Sequence, residues 1–237
     1  MPFKHGRLTE VLLNSLDVST YLNSIAWAAQ VDVAKTSTLK STWHSYIPGI
    51  AHSQAAMNGY YDSTLTAVRA TLQAAPGVLS YAPAGALVVG DQVRLISFNT
   101  VTYNENAKIN EAVGFDWTAQ GTAVGGVGVS LAPLAVYGVG AGVTPGGDGI
   151  LTSTQSTTGA IGHLHVTGYS AGTHTFKFQD STTLGGAYTD IAGGAFVNVT
   201  AVGAQRIIIP GTIRQFVRLL YTVATASATF AVSFART

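Results

Sequence analysis

The sequence has no cysteine and few charges. Without cysteine there are no disulfide staples, no thiolate metal sites and no thiol nucleophile. Charged residues make up 10% of the 237 positions, against roughly 25% in an ordinary soluble domain. A folded monomer of this mass exposes about 10,000 Å², or roughly one charge per 400 Å², so much of the surface reads as contact surface. The formal net charge of +1 neutralises few phosphates and excludes tight nucleic-acid binding. With 47% apolar residues the chain is too hydrophobic for disorder. Residues 1–10 carry Lys4, His5, Arg7 and Glu10 without the apolar run of a secretory signal. Trp117 to Gly147 lacks charge, but seven glycines and Pro133 between residues 121 and 143 make it a poor membrane helix. No membrane insertion is expected.

What is present reads mostly as β. Apolar Ile25, Trp27, Val31 and Val33 alternate with Gln30 and Asp32, and the same period returns through residues 92–104, 105–118 and 229–234. Strands Gln92–Asn104 and Ala107–Thr118 read as a long hairpin turning at Glu105-Asn106. A single helix is expected over 63–73, capped at Asp62-Ser63, with Leu65, Val68 and Leu72 on one face and Pro76-Gly77 as its stop. A short helical turn fits Ser19 to Leu22, capped by Asp17 or Ser19. The fold class is therefore all-β dominated: two packed antiparallel sheets, one flanking helix and a C-terminal β-sandwich. The expected division is a β domain over 1–140, a Gly/Ser/Thr-rich linker over 141–158, and a sandwich of short strands over 159–237.

Residues with reactive side chains form no persuasive site. His163 and His165, at i and i+2, share a strand face, with His174 and Asp180 as the nearest further ligands. Two polar residues on a solvent or interface face are the simpler reading. Glu111 and Asp116 fall on opposite strand faces and share no proton. Gly125-Gly126-Val127-Gly128 lacks the following helix and the Lys-Ser/Thr of a phosphate loop. No catalysis, cofactor or metal is expected.

Two other features carry more. Gln30, Asp32, Gln54, Asn58, Arg94, Thr100, Asn104, Lys108, Asn110 and Asp116 occupy alternate positions of candidate strands, opposite Trp27, Met57, Val101, Ile109, Phe115 and Trp117. The implied wet face is mostly amide and hydroxyl, with charges of both signs. The long connection 35–48 carries Lys35, Lys40, Trp43, His44 and Tyr46, a composition suited to docking against protein.

The ordered set Phe3-Lys4-His5-Gly6-Arg7, Asp17 to Ser24, Asp32 to Thr38, Tyr46-Ile47-Pro48-Gly49 and Gly59-Tyr60-Tyr61-Asp62 resembles the tail tube proteins of long, non-contractile-tailed (siphophage-type) bacteriophages. Ser80 to Pro83 and His163 to Thr167 are similar to longer members. The resemblance implies a virion protein assembled in the host cytoplasm. Its hexameric rings would each close a β-barrel, and stacked rings would form the conduit for genomic DNA. Implied partners are other copies of the chain, tail completion, tape-measure and baseplate proteins, and transient DNA in the lumen. Lys35 to Pro48 matches the family's loop that reaches a neighbouring ring, and the wet-face residues become lumen candidates. An alternative reading is a carbohydrate- or surface-binding sandwich of a phage adhesin or bacterial surface layer, with Tyr169, Tyr188 and Phe196 stacking on sugars.

Overall fold

A computed structural model describes residues 9–37, 42–43, 46–60, 66–73, 76–84, 88–107, 109, 112–123, 125–138, 140–143, 145, 147, 149–152, 154–223 and 226–237. In chain order the strands are β1 (Glu10–Leu13), β2 (Leu16–Asp17), β3 (Leu22–Lys35), β4 (Tyr46–Tyr60), β5 (Gly77–Ala82), β6 (Gln92–Asn106), β7 (Gly114–Gly121) and β8 (Gly126–Tyr137). They continue with β9 (Gly140–Val143), β10 (Ile150–Leu151), β11 (Ala160–Tyr169), β12 (Thr175–Ser181), β13 (Thr189–Ala195), β14 (Gly203–Ile209), β15 (Phe216–Val223) and β16 (Ala228–Arg236). Helix α1 (Thr66–Gln73) lies between β4 and β5, and a 3-10 turn occupies Ser19–Tyr21. The Asp17 carboxylate accepts from the Ser19 amide at 3.0 Å, the cap the sequence suggested for that turn. The protein is all-β dominated, with two antiparallel sheets.

The chain forms two compact units that interleave in sequence. One comprises Met1–Thr20, Gly77–Leu95 and Gly126–Thr237; the other comprises Tyr21–Pro76 and Ile96–Gly125. The expected sequential split, with a linker at 141–158, is not where they divide. The reason is long-range pairing: β16 lies between β8 and β11 in one sheet, while β9 and β10 both pair with β15.

In the larger unit the first sheet runs β14-β11-β16-β8-β6-β5-β1-β2, and the second runs β10-β15-β12-β13 with β9 also on β15. One core forms between the sheets from Leu164, Phe176, Phe178, Leu219, Tyr221, Phe230 and Phe234. Phe230 stacks on Tyr137 at 4.3 Å and meets Phe176 and Tyr221 at 4.8 Å, which locks this core by ring geometry. A second core joins Leu12, Ala82, Val93 and Leu95 to Ile161, Ala231 and Ala235 on the opposite face of β11 and β16. Those two strands are therefore buried on both faces, and show unbroken burial where a half-exposed strand would alternate. Close approach demands glycine here: a Cβ on Gly128 would sit 2.1 Å from the Phe234 carbonyl oxygen.

The smaller unit is one four-stranded antiparallel sheet, β3-β4-β7-β6, with α1 against one face. The helix seats through Leu72, which is buried and whose carbonyl accepts from Trp117 Nε1 at 3.0 Å. Thr100 Oγ1 donates to the same carbonyl and lies 3.0 Å from Trp117 Nε1, while Phe98 meets the indole edge-on at 5.1 Å. Gly59 allows the turn at Tyr21 to approach, since a Cβ there would meet the Tyr21 carbonyl oxygen at 2.1 Å.

Candidate functional site

The sheet of the smaller unit has two chemically distinct faces, set by register. Cross-strand partners share a face. Ile25↔Met57↔Trp117↔Tyr103 and Trp27↔Ala55↔Ala119 define the apolar side. Ser24↔Asn58↔Asp116↔Asn104 and Ala28↔Gln54↔Gln120↔Asn99 define the other, and Gln30 extends that side opposite His52. Thr102 and Thr118 join it through their hydroxyls, 2.5 Å apart. Asn106 Nδ2 donates to the Asp116 carboxylate at 2.6 Å, and the Asp32 carboxylate lies 3.8 Å from His52 Nδ1. Polar groups thus cross all four strands in the first row, three in the second, and two at Thr118 and Thr102.

Of the wet-face candidates, Gln30, Asp32, Gln54, Asn58, Asn104 and Asp116 come together on this side of the sheet. Arg94 does not: it lies in the part of β6 that belongs to the larger unit, opposite Val127 of β8. Two irregularities explain the departure. Leu95 and Ile96 are both buried, so alternation slips by one residue there. The register then shifts again between Thr100 and Thr102, which turns Thr100 onto the helix side and leaves Val101 exposed. The hairpin turn also falls later than Glu105-Asn106, because Asn106 still pairs with Gly114. Lys108 and Asn110 lie outside the described residues, and Ile109, expected on the dry face, is exposed in the turn.

The strand edges matter as much as the faces. Among the described residues β3 pairs only with β4. β7 and β8 succeed one another along one side of β6, and the six-residue β5 takes part of its other side, with no further partner there among the described residues. Among the described residues β3 therefore presents an unpaired edge, and the fifteen-residue β6 presents one where it runs past the six residues of β5. Val31 on β3 and Val101 on β6 are half or more exposed beside those edges. Of the loop residues singled out in the sequence, Lys35 ends β3 exposed, Trp43 is 85% exposed, and Tyr46 begins β4. Lys40 and His44 lie outside the described residues.

The histidines of the larger unit are not on a solvent or interface face, contrary to expectation. His163 and His165 are wholly buried, because β11 has a core on each side. Ser80 Oγ lies 2.8 Å from His165 Nε2 and 3.2 Å from His163 Nδ1, and His165 Nδ1 donates to the Asn14 carbonyl at 2.7 Å. A serine hydroxyl on an imidazole oriented by a carbonyl resembles a nucleophile and its base, but no part of Ser80 reaches solvent. Burial pushes the His165 imidazole down to about 4. It pushes His163 well below the ordinary histidine range, helped by neighbouring His165 and Arg206. His174 is engaged elsewhere, by the Tyr221 hydroxyl at 2.7 Å and the Ala171 carbonyl at 2.9 Å. Among the described residues no cluster of three or more potential metal ligands exists. No described helix is long and apolar enough to cross a membrane.

The aromatic trio proposed for sugar stacking is also dispersed. Phe196 is buried against Phe178, and Tyr169 packs on His174 while its hydroxyl donates to the Gly172 carbonyl. Arg218 covers the Tyr188 ring at 4.1 Å.

No protein-family model matches the sequence, and no curated protein matches it. Among solved structures, a chain from the virion of a native gene transfer agent particle is similar at 11% identity and TM-score 0.41, covering 53% of this chain and 98% of that one. The Dit protein of phage SPP1, described as a hub adsorption apparatus, is similar over 96% of this chain and 98% of its own, at 8% identity and TM-score 0.37. A chain of the phage p2 baseplate covers 95% and 97%, at 9% identity and TM-score 0.33. None superposes closely enough to assign this chain a role.

Proposed function

We propose that the protein is a structural subunit of a phage tail that polymerises through the smaller unit into stacked rings, forming a tube for DNA. The observation that carries this reading is the sheet β3-β4-β7-β6, which among the described residues has an unpaired edge at β3, an edge at β6 that β5 takes only in part, one polar face and one apolar face. An exposed edge is a template for another strand, and natural proteins blunt it unless pairing is intended. Here β3 and β6 are long, 14 and 15 residues, and carry exposed valines rather than inward charges. Pairing β3 of one copy with β6 of the next is a head-to-tail contact, which closes into a ring when the rotation permits. Closure would turn the amide and hydroxyl rows toward one side of the barrel wall, where few counterions would be released by passing DNA. The sequence resemblance to siphophage tail tube proteins supports the same reading, and the loop around Trp43 supplies a contact between rings. The role is architectural and needs no catalysis.

Negative-stain microscopy and sedimentation of the concentrated protein test this. Rings or hollow rods are expected, and particles that stay monomeric at every concentration would reject it. Deletion of 38–46 should leave the subunit folded by circular dichroism yet stop rods from forming. Rods of normal length from that deletion would remove the loop from the stacking role.

A further inference from the structure

In the larger unit, the path of hydrogen-bonded strands from β11 to β5 runs through β16, β8 and β6. Yet β5 and β11 face one another closely enough for Ser80 to touch both histidines. The first sheet therefore curls back on itself. The described residues close the seam between β5 and β11 with side chains, where a closed barrel would use backbone ladders. Asn14 is the knot of this seam. It sits at the tip of the β1–β2 hairpin with φ 50°, exchanges two hydrogen bonds with Val78, each 2.8 Å, and offers its carbonyl to His165.

The bonding fixes the protons. Because the Asn14 carbonyl only accepts, His165 carries its proton on Nδ1, and its bare Nε2 accepts from the Ser80 hydroxyl. Ser80 is then free to accept from His163 Nδ1. Among the described residues His163 Nε2 has no hydrogen-bond partner, nor do the hydroxyls of Ser233 and Ser130, its register neighbours across β16 and β8. A proton added to either ring puts a cation into this apolar seam. It also sets His165 Nε2–H against a hydroxyl that had been donating to it.

Among the described residues no carboxylate is bonded to either imidazole. Arg206 of β14 is the register partner of His163 and repels a second cation. From β16 comes neutral Ser233, and from β5 come neutral Ser80 and the Leu79 backbone. Glu10 of β1 lies on the same strand face as Leu12, two residues from the row that faces Ser80. Asp17 of β2 is the register partner of Leu12, and its carboxylate is bonded to Ser19.

We propose that this seam is an acid-sensitive latch: proton uptake by the His163–His165 pair frees the β1–β2 hairpin and β5 from β11, while the β12–β15 side of the unit stays closed. The closed latch holds both rings neutral, so it is fully shut above the ordinary histidine pKa of about 6.5. Below that, the open form takes up protons that the closed form refuses. With the closed-state His165 at about 4, this ring alone raises the opening constant roughly 25-fold between pH 7.5 and pH 5. His163 adds to the effect in the same direction.

Hydrogen exchange read by mass spectrometry on the full chain, corrected for the intrinsic pH dependence of exchange, tests the latch. Between pH 7.5 and pH 5, segments 10–20 and 77–82 should gain about 25-fold or more in opening, with 216–223 unchanged. The double variant His163→Asn with His165→Asn keeps an amide donor near each Nδ1 position and cannot titrate, so its exchange should not respond to pH. Should that variant fail to fold, imidazole nitrogen shifts of the unaltered protein provide the second reading, and both seam rings should titrate together with the loss of protection at 10–20. The latch is overturned if these segments open no faster at pH 5, if 216–223 opens equally, or if the folded double variant keeps the pH response.

Discussion

Strand β11 and strand β3 are built from the same kind of sequence and end in opposite conditions. Seven successive residues of β11, Ala160 to Val166, are buried, with paired strands on both edges and a core on both faces. Along β3, Gln30, Val31 and Asp32 in succession are exposed, and its one paired edge leaves the other open among the described residues. The difference teaches that strand propensity does not decide completeness; the number of layers and the state of the edges do. The larger unit has completed β11 and β16 within one chain, and its own sheets end at β14, β2 and β13. The smaller unit has left its outer strands available to a neighbour.

That contrast can be broken by measurement, starting where the expected loss of stability is greatest. Phe230→Ala removes a ring that touches Tyr137, Phe176 and Tyr221, and should cost about 3–5 kcal/mol in urea denaturation. In the smaller unit Trp117→Phe keeps the apolar bulk but removes the donor to the Leu72 carbonyl, and about 1–3 kcal/mol is expected. Equal losses would mean that both units rely on their interiors alike. Thr102→Val, on the polar rows, should cost below about 1 kcal/mol, since its partner Thr118 remains exposed to water. Smallest of all is Val101→Lys at the free edge of β6. It should move stability by no more than about 0.5 kcal/mol while abolishing self-association in sedimentation. Undiminished association would show that this edge is not where copies meet.

The two-faced sheet was legible in the sequence because half-exposed strands print their period. Gln54, Asn58 and Asp116 against Met57 and Trp117 read the same way in one dimension as in three. Reading failed where the period itself breaks. Nothing in the residues announces the slip at Leu95-Ile96 or the bulge at Thr100, so the sequence period places Arg94 with side chains from which the fold separates it. The histidine pair misled for the opposite reason. On a strand buried on both faces no alternation exists to mark inside from outside, and a polar side chain there is satisfied by a distant partner, Ser80, 83 residues away from His163. The interleaving of units was hidden because Phe234 pairs with Val129 across a hundred residues, a separation that local pattern does not encode. The short turn at Ser19, by contrast, needed only Asp17 two positions earlier.

The position of β16 has a consequence for how the chain is made. It is the last described strand in chain order, yet it is the central stave between β8 and β11. Its end is tied down by the Arg236 guanidinium, which binds Thr152, Ser156 and the Ile213 carbonyl. During translation, then, the stretch Tyr21–Gly125 emerges with all its strands while the larger unit still has a gap through its middle. A chain without β16 would carry open edges on both β8 and β11. Vectorial synthesis thus leaves β8 and β11 without the strand that joins them until that one segment arrives.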